Sequence, residues 1–517
     1  MSDTDDYDAI VVGSGAAGGW AARTLAERGA RVLVLEAGPL LPGDHRVDRA
    51  VHSARRQSVQ SLCSAYEPMT AHLFVDDADH PYQTDEDAPF HWFRGRQLGG
   101  RLHLWAGVSL RMSDREFTAR PAPGDTPRAW PLGHRDLAPF YERVESFMRV
   151  TGGAEHSPAA PAPRSVDDRR PSHAERLLAD TLAARWPQRQ VLAGRVARAD
   201  ADAVLTAALD TGRTALRTNA VVSHLELDPA GGRARGVVFA DRLTGRWHRR
   251  RARAILLCAS AVESVRILLN TRTPQHPDGL GNRHDLLGRY FCDHLSGPSV
   301  SGTLPGAGTA PQPSAAPGFV PVSHVPHFGD ERERPGYGIT LLAPEVLPLS
   351  ARSADWAASA AAGTTPFRLW SCGEIPARRD NRVQLADAPD AWGIPQAHIR
   401  LRHGAEEREL AAEQAATMAE MAAAAGWDVT DVTDTPAVPG TSVHELGGAA
   451  MGTTPDRSVT DAANRLWEAP NVLVADGAAF TTPGWQNPTL TIMALATRAA
   501  HLLADAARAG RLEHPIP

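Results

Sequence analysis

Residues 7–36 set a short apolar strand, a glycine-rich turn, a helix and a second strand in an order that admits few folds. Tyr7 to Val12 reads YDAIVV, apolar and rich in β-branched residues. Gly13-Ser14-Gly15-Ala16-Ala17-Gly18 follows at once. A helical stretch runs through Leu25, and Arg31 to Leu35 forms the next strand before Glu36. In such a unit the first glycine permits the tight turn, the second lets backbone approach a pyrophosphate, and the third lets the helix pack closely on the strand. The helix start, with Ala16 and Ala17 in its first turn, offers free N–H groups to the phosphates. Glu36, at the tip of the second strand, is placed to accept hydrogen bonds from a ribose diol. A glycine-rich turn that binds nothing is the competing reading. The ordered strand, helix, strand and acid argue against it.

The chain has 517 residues, 43% hydrophobic and 22% charged, enough for a large core in two domains or one elaborated one. A net charge of −6 and a pI near 6.4 leave no basic footprint for nucleic acid. No apolar run of about 18 residues argues for a membrane span. The acidic start, MSDTDDYD, lacks the charged-then-apolar pattern of a leader. Cys63, Cys258, Cys292 and Cys372 are isolated and form neither a CxxC pair nor a haem-attachment motif. No disulfide framework and no metal is expected, and a reducing cytoplasm is the expected location. Every basic residue is Arg, so Schiff-base chemistry on lysine and a P-loop lysine are both excluded.

Residues 136–150 (DLAPFYERVESFMRV) carry apolar residues at helical spacing, and 174–186 reads as another helix. Residues 153–172, rich in Pro, Ala, Ser and Arg, read as a loop or linker. Ala220–Leu227 and Ala234–Ala240 are strand-like runs joined by Asp228-Pro229-Ala230-Gly231-Gly232, a hairpin signal. Arg253–Ala259 reads as a buried strand leading into a helix over 261–270. From 298 to 440 the texture is that of an antiparallel sheet with long connections, with a helix at 406–425 and its loosest stretch at 302–318. After Gly440, Asn471–Ala475 is a strand ending in Asp476-Gly477, and Pro488–Ala507 is a long helix. The expected fold is α/β (α+β overall). A Rossmann-like dinucleotide domain is split across 1–297 and 441–517, with a helical and loop insertion at about 113–190. A substrate domain with a mainly antiparallel sheet and flanking helices occupies 298–440.

The last third carries the most specific signal. Residues 442–500 read SVHELGGAAMGTTPDRSVTDAANRLWEAPNVLVADGAAFTTPGWQNPTLTIMALATRAA. Further matching segments are GSGAAG at 13–18, FRGRQLGG at 93–100, ASAVESVRILLN at 259–270 and LLGRYFCDH at 286–294. Together they resemble the glucose–methanol–choline (GMC) oxidoreductases, FAD-dependent alcohol oxidases and dehydrogenases. The resemblance covers most of the chain. WPL at 130–132 before DLAPFYERVE, and GEIPARRDNRVQLADAPDAWGIPQ at 373–396, are similar to the pyranose-oxidase and gluconate-dehydrogenase-like branch.

Oxidising an alcohol by hydride transfer needs a hydride acceptor and a base for the hydroxyl proton. Histidine suits a base near neutral pH, and a positioned base contributes about 10²- to 10⁴-fold in rate. His444 precedes Gly447-Gly448, in a glycine-rich loop open to a flavin's approach. Asn487 precedes Pro488 and the last helix. The resemblance makes His444 the base and Asn487 the hydrogen-bond partner of the substrate oxygen. A loop histidine and a helix N-cap before an N1 proline are the plainer readings of the two, and for Asn487 capping and catalysis are compatible.

The resemblance also sets GRQLGGRLHLW, residues 95–105, against the flavin ring, with Arg96, Gly99, Gly100 and Leu102 as cofactor contacts. Related pyranose oxidases attach FAD through a histidine immediately before the tryptophan. Leu104 stands there in this chain, so the FAD is expected to be non-covalent. His103 is read as a site residue, with a buried structural histidine as its alternative. Asp476 and Gly477 are similar to a second flavin contact, Pro488 and Thr489 lie at the helix start beside it, and Val222 is set to touch adenine through its backbone. Trp485 and Gln486 are candidates for the substrate face, as is Trp105, which core packing would equally explain.

The implied activity is oxidation of a hydroxyl on a polyol, sugar, glycoside or sugar-derived natural product. His444 takes the proton, hydride passes to flavin N5, Asn487 steadies the alkoxide, and residues of 298–440 choose the substrate. Oxygen or another acceptor then removes the electrons. A nicotinamide-dependent dehydrogenase is the rival from another class, since Glu36 serves either adenosine ribose. A flavin-binding protein without turnover is the second rival, against which His444 and Asn487 argue.

Overall fold

The computed structural model describes residues 7–41, 58–66, 70–118, 128–153, 157–163, 171–305, 322–327, 335–343 and 363–510. Residues 1–6 of the acidic start, half of the expected linker and all of 302–318 beyond residue 305 lie outside the described residues.

The first sheet is built on β1 (Tyr7–Val12). It pairs in parallel with β2 (Val32–Leu35) on one side and with the second half of β8 (Trp247–Leu257) on the other. β5 (Thr214–Arg217) extends it beyond β2, and β17 (Val472–Val474) beyond β8, again in parallel. The buried Val, Leu and Ile of these central strands suit a parallel sheet covered on both faces. One cover is α1 (Ala16–Glu27) packed on α7 (Thr489–Arg508). α7 is long and apolar enough to cross a bilayer by composition, but it is mostly buried as a core helix.

β8 serves two partners. Its first half, from Trp247 to Arg251, pairs antiparallel with β7 (Ala234–Asp241), and β7 pairs with β6 (Ala220–Leu227) in the expected hairpin. The buried strand read at 253–259 is thus the second half of a longer one. Its first half exposes Trp247, Arg249 and Arg251 on one face, which hides it from a search for apolar runs.

The second sheet is antiparallel, in the order β16 (Asp428–Thr433), β10 (Ser299–Pro305), β13 (Thr364–Glu374), β12 (Tyr337–Leu342), β11 (Ser323–His327) and β4 (Leu192–Ala193). β9 (His294–Leu295) adds to the end of β13 at Gly373 and Glu374. α6 (Ala405–Ala424) lies on one face, burying Leu410, Gln414, Met418 and Met421 at helical spacing. The other face is turned to the chamber described below. A small third sheet joins β14 (Arg382–Pro389), β15 (Pro395–Arg400) and β3 (Gln83–Thr84) beside α5 (Ala261–Leu269). Three further helices complete the described fold: α2 (His134–Met148), α3 (His173–Arg185) and α4 (Ala203–Asp210).

Candidate active site

A chamber of about 1330 Å³ lies where the carboxyl ends of β1, β2 and β8 face the second sheet. Gly13, Gly15, Ala16, Ala17 and Glu36 line it, as do His444 and Asn487. It therefore joins the glycine turn to the C-terminal pair.

Gly13 has φ +99°, and a Cβ there would stand 2.4 Å from the Cys258 carbonyl oxygen. Gly18 does not reach the chamber; a Cβ there would lie 1.9 Å from the Gly13 oxygen, so this glycine seats α1 on β1 rather than touching a cofactor. Ser14 ties the motifs together. Its N–H and O–H donate to Glu36 Oε2 at 3.0 and 2.5 Å, and its Oγ accepts from the Gly99 N–H at 3.1 Å. Gly38 N–H donates to the other Glu36 oxygen at 2.7 Å. Burial raises the Glu36 pKa, opposed by these three donors. Gly99 is thus a link to Ser14 and not a wall residue, whereas Gly100 lines the chamber and lies against Gly15.

These residues fit a dinucleotide. The start of α1 has no side-chain cap, which leaves its first N–H groups to a diphosphate. Arg96 donates through Nη2 to Glu263 at 3.0 Å, while its buried Nη1 has no partner among the described residues. Val222, Leu102, His103, Asp476, Gly477, Pro488 and Thr489 line the same chamber. Asp476 is held by Ser264 Oγ and the Ala478 N–H, and burial pushes its pKa up to about 6.

A chain of hydrogen bonds sets the protonation of the candidate base, His444. His294 is buried, and its Nε2 lies 2.7 Å from the Gly484 carbonyl oxygen, so Nε2 carries the proton. Burial lowers the His294 pKa to about 4. The ring is then neutral and its Nδ1 can only accept. His444 Nδ1 lies 2.8 Å from that atom and donates to it. The remaining nitrogen, His444 Nε2, keeps a lone pair, and Asn487 Nδ2 lies 3.3 Å from it. Burial, then His294 and Arg101, hold the His444 pKa well below its usual value. At neutral pH His444 is a proton acceptor at Nε2.

The structure amends three further readings of the sequence. Gln486 is 1% exposed and faces away from the chamber; its Nε2 donates to the Ala159 carbonyl and its Oε1 accepts from the Trp485 N–H. Asn487 does not cap α7: Pro488 is the N-cap, and no side chain caps it. Gly447 and Gly448, with φ of +77° and +92°, pack against Tyr290 and Val265 instead of opening the loop to a flavin. His103, read as a site residue, lines the chamber with its Nε2 2.9 Å from the Leu98 oxygen and 3.2 Å from Asp202 Oδ1, a ring held between its own loop and the start of α4. Trp105 and Trp485 both line the chamber; Trp105 is half-buried and Trp485 is 3% exposed.

His294 and Asp293 were not singled out from the sequence. Asp293 is fully buried; it accepts from the Gly440 N–H at 2.7 Å and from Ser442 Oγ, pinning the loop that carries His444. Their only sequence signal is the DH pair ending LLGRYFCDH.

A Rossmann-type nucleotide site that opens onto an unprotonated imidazole nitrogen and a carboxamide suits an oxidoreductase acting on CH–OH groups. Residues 376–496 match the model of the GMC oxidoreductase C-terminal domain, and residues 11–54 match an NAD(P)-binding Rossmann-like domain. Residues 376–496 thus carry the C-terminal domain of the GMC oxidoreductases, a FAD-dependent family. It is 29% identical to 6'''-hydroxyparomomycin C oxidase of Streptomyces lividus, over 98% of this chain and 93% of that protein. It is 27% identical to 2-methyl-1,2-propanediol dehydrogenase of Mycolicibacterium austroafricanum, over 96% and 95%. It is 28% identical to C-glycoside 3-oxidase of Microbacterium trichothecenolyticum, over 96% of each. The fold is that of pyridoxine 4-oxidase from Mesorbium loti, with a TM-score of 0.61 at 18% identity, covering 96% of this chain and 98% of that one.

Proposed function

We propose that the protein oxidises a hydroxyl of a sugar, glycoside or sugar-derived molecule, using FAD held non-covalently in the chamber. The observation that carries this reading is the unprotonated His444 Nε2 beside the Asn487 amide on the chamber wall. Such a pair can hold an alcohol, whose O–H donates to Nε2 while its oxygen accepts from the amide. As the proton moves to His444, the amide N–H stabilises the negative charge growing on oxygen. His294 fixes which nitrogen of His444 receives the proton. Bound FAD supplies the acceptor for the carbon's hydride. Leu104, in the place where related proteins carry an attaching histidine, supports a non-covalent cofactor.

The sugar assignment rests on the relatives named for glycoside and aminoglycoside oxidation and on the aromatic wall formed by Trp105, Trp370 and Trp485. The four cysteines are unpaired, which supports a cytoplasmic location.

The test is direct. Purified protein should be yellow and should release its FAD on denaturation. Anaerobic mixing with polyols, free sugars and glycosides should bleach the flavin with one of the last two classes. Air is then readmitted: rapid return of colour identifies oxygen as the acceptor, and slow return identifies another. A colourless protein, or a flavin that no sugar or glycoside bleaches, would contradict the proposal.

A further inference from the structure

The chamber wall carries both acids and arginines, and nearly all are engaged within the protein. Glu36 is held by Ser14 and Gly38, Asp476 by Ser264 and Ala478, and Glu263 by Arg96 and Arg266. Arg101 pairs with Glu445 at 2.7 Å, and Arg94 with Asp77 at 2.7 Å. Arg368 also lines the chamber, with an exposed side chain and no hydrogen bond or ion pair among the described residues. It alone offers the chamber an uncommitted charge among those residues.

Its place is set by strand register. β13 alternates Phe367 and Leu369 into the core with Arg368, Trp370 and Cys372 toward the chamber. Arg368 stands opposite Leu342, Trp370 opposite Thr340, and Cys372 opposite Gly338. The Trp485 indole lies directly on Gly338: a Cβ there would come within 2.1 Å of it. The row nearest the loop of Asn487 is therefore the Cys372 row. Arg368 lies four residues along the strand, roughly 13 Å away. That separation exceeds one hexose ring. Between the two rows, Trp370 presents an aromatic face.

From this arrangement, and resting on the sugar-oxidising reading above, we infer that the substrate is a two-part glycoside. Its sugar ring reaches His444 and Asn487, its second ring lies along Trp370, and that ring bears an anionic group paired with Arg368. A guanidinium binds a carboxylate or sulfonate through paired N–H donors, whereas it repels an ammonium.

The experiment uses holoenzyme and four aryl glucosides that differ only at the far end of the aryl ring: neutral, carboxylate, sulfonate and aminomethyl. Stopped-flow flavin reduction gives the apparent Kd and the limiting rate for each. The carboxylate or sulfonate should bind about tenfold tighter than the neutral arm, the ammonium weakest, with similar limiting rates. The spread should shrink as salt rises. In Arg368→Gln the anionic and neutral arms should converge, and Arg368→Lys should retain part of the preference. Equal Kd values in the wild type, a preference for the ammonium, or an anion preference that survives in Arg368→Gln would overturn the inference. Calorimetric binding of benzoate to wild type and Arg368→Gln needs no turnover; equal affinities would overturn it even if no glucoside is oxidised. Glucosides that all react alike would sink the role of Arg368 and leave the sugar-oxidising reading standing.

Discussion

His294 and His444 meet edge to face, with ring planes at 90° and their Nδ1 atoms 2.8 Å apart. One ring has to accept there and the other to donate, and the Gly484 carbonyl decides which. His294→Ala should lower kcat by about 10²-fold with little change in KM, because His444 then loses the acceptor that fixes its tautomer. His294→Asn, whose side-chain oxygen can accept from the same N–H, should recover part of that loss. Steady-state kinetics of the two variants tests this; equal activity in both would leave His294 as packing only.

His444→Ala should keep its FAD and lose about 10²- to 10⁴-fold in the rate of flavin reduction. The wild-type pH profile carries the same information. Since burial holds the His444 pKa below its usual value, kcat/KM should be flat through neutrality and fall only on the acid side, as Nε2 becomes protonated. An ascending limb centred above about 6.5, the ordinary histidine value, would contradict the assigned base.

Glu116 sits behind the active loop, buried, with its carboxylate accepting from the N–H and O–H of Ser113. Burial first, and Glu374 second, push its pKa up to about 7. The folded state thus binds a proton that the unfolded chain has already released. Stability from this group is full below the unfolded value near 4.5 and is lost as pH rises through about 7. Glu116→Gln should remove that loss, worth on the order of 3 kcal/mol at most, and denaturant melts at pH 5 and pH 8 would read it. A variant destabilised equally at both pH values would refute the assignment.

Gly338→Ala should disturb Trp485, since the new methyl would overlap its indole. Flavin content should stay at the wild-type level while KM for a glycoside rises about tenfold or more, through lost ring contact. Loss of FAD in this variant would show that Trp485 supports the cofactor instead.

The parts of the fold that could be read from the chain are local ones. The glycine turn, the 228–232 hairpin and the last helix each carry their own signal within a few residues. His294 could not be paired with His444 in this way, because 150 residues separate them and the segments meet through long-range contacts: the paired bonds between Cys292 and Leu446 and the bonds of Asp293 to Gly440 and Ser442. The Trp485–Gln486 pair shows the same limit. Adjacent residues in a loop point oppositely, one onto Gly338 and the other toward Ala159, and nothing in the dipeptide says which. Glycines mislead similarly: Gly447 and Gly448 resemble a cofactor approach but relieve contacts with the loop at Gly288–Tyr290 and with Val265 of α5.

The short loop from Gly484 to Asn487 supplies the carbonyl that orients one imidazole, the indole on the wall and the amide beside the base. Under the proposed mechanism, selection for new substrates cannot reshape that segment without also retuning proton transfer. Diversification within this architecture is therefore channelled to the far rows of the antiparallel sheet, where a changed side chain alters what is admitted and leaves the chemistry intact.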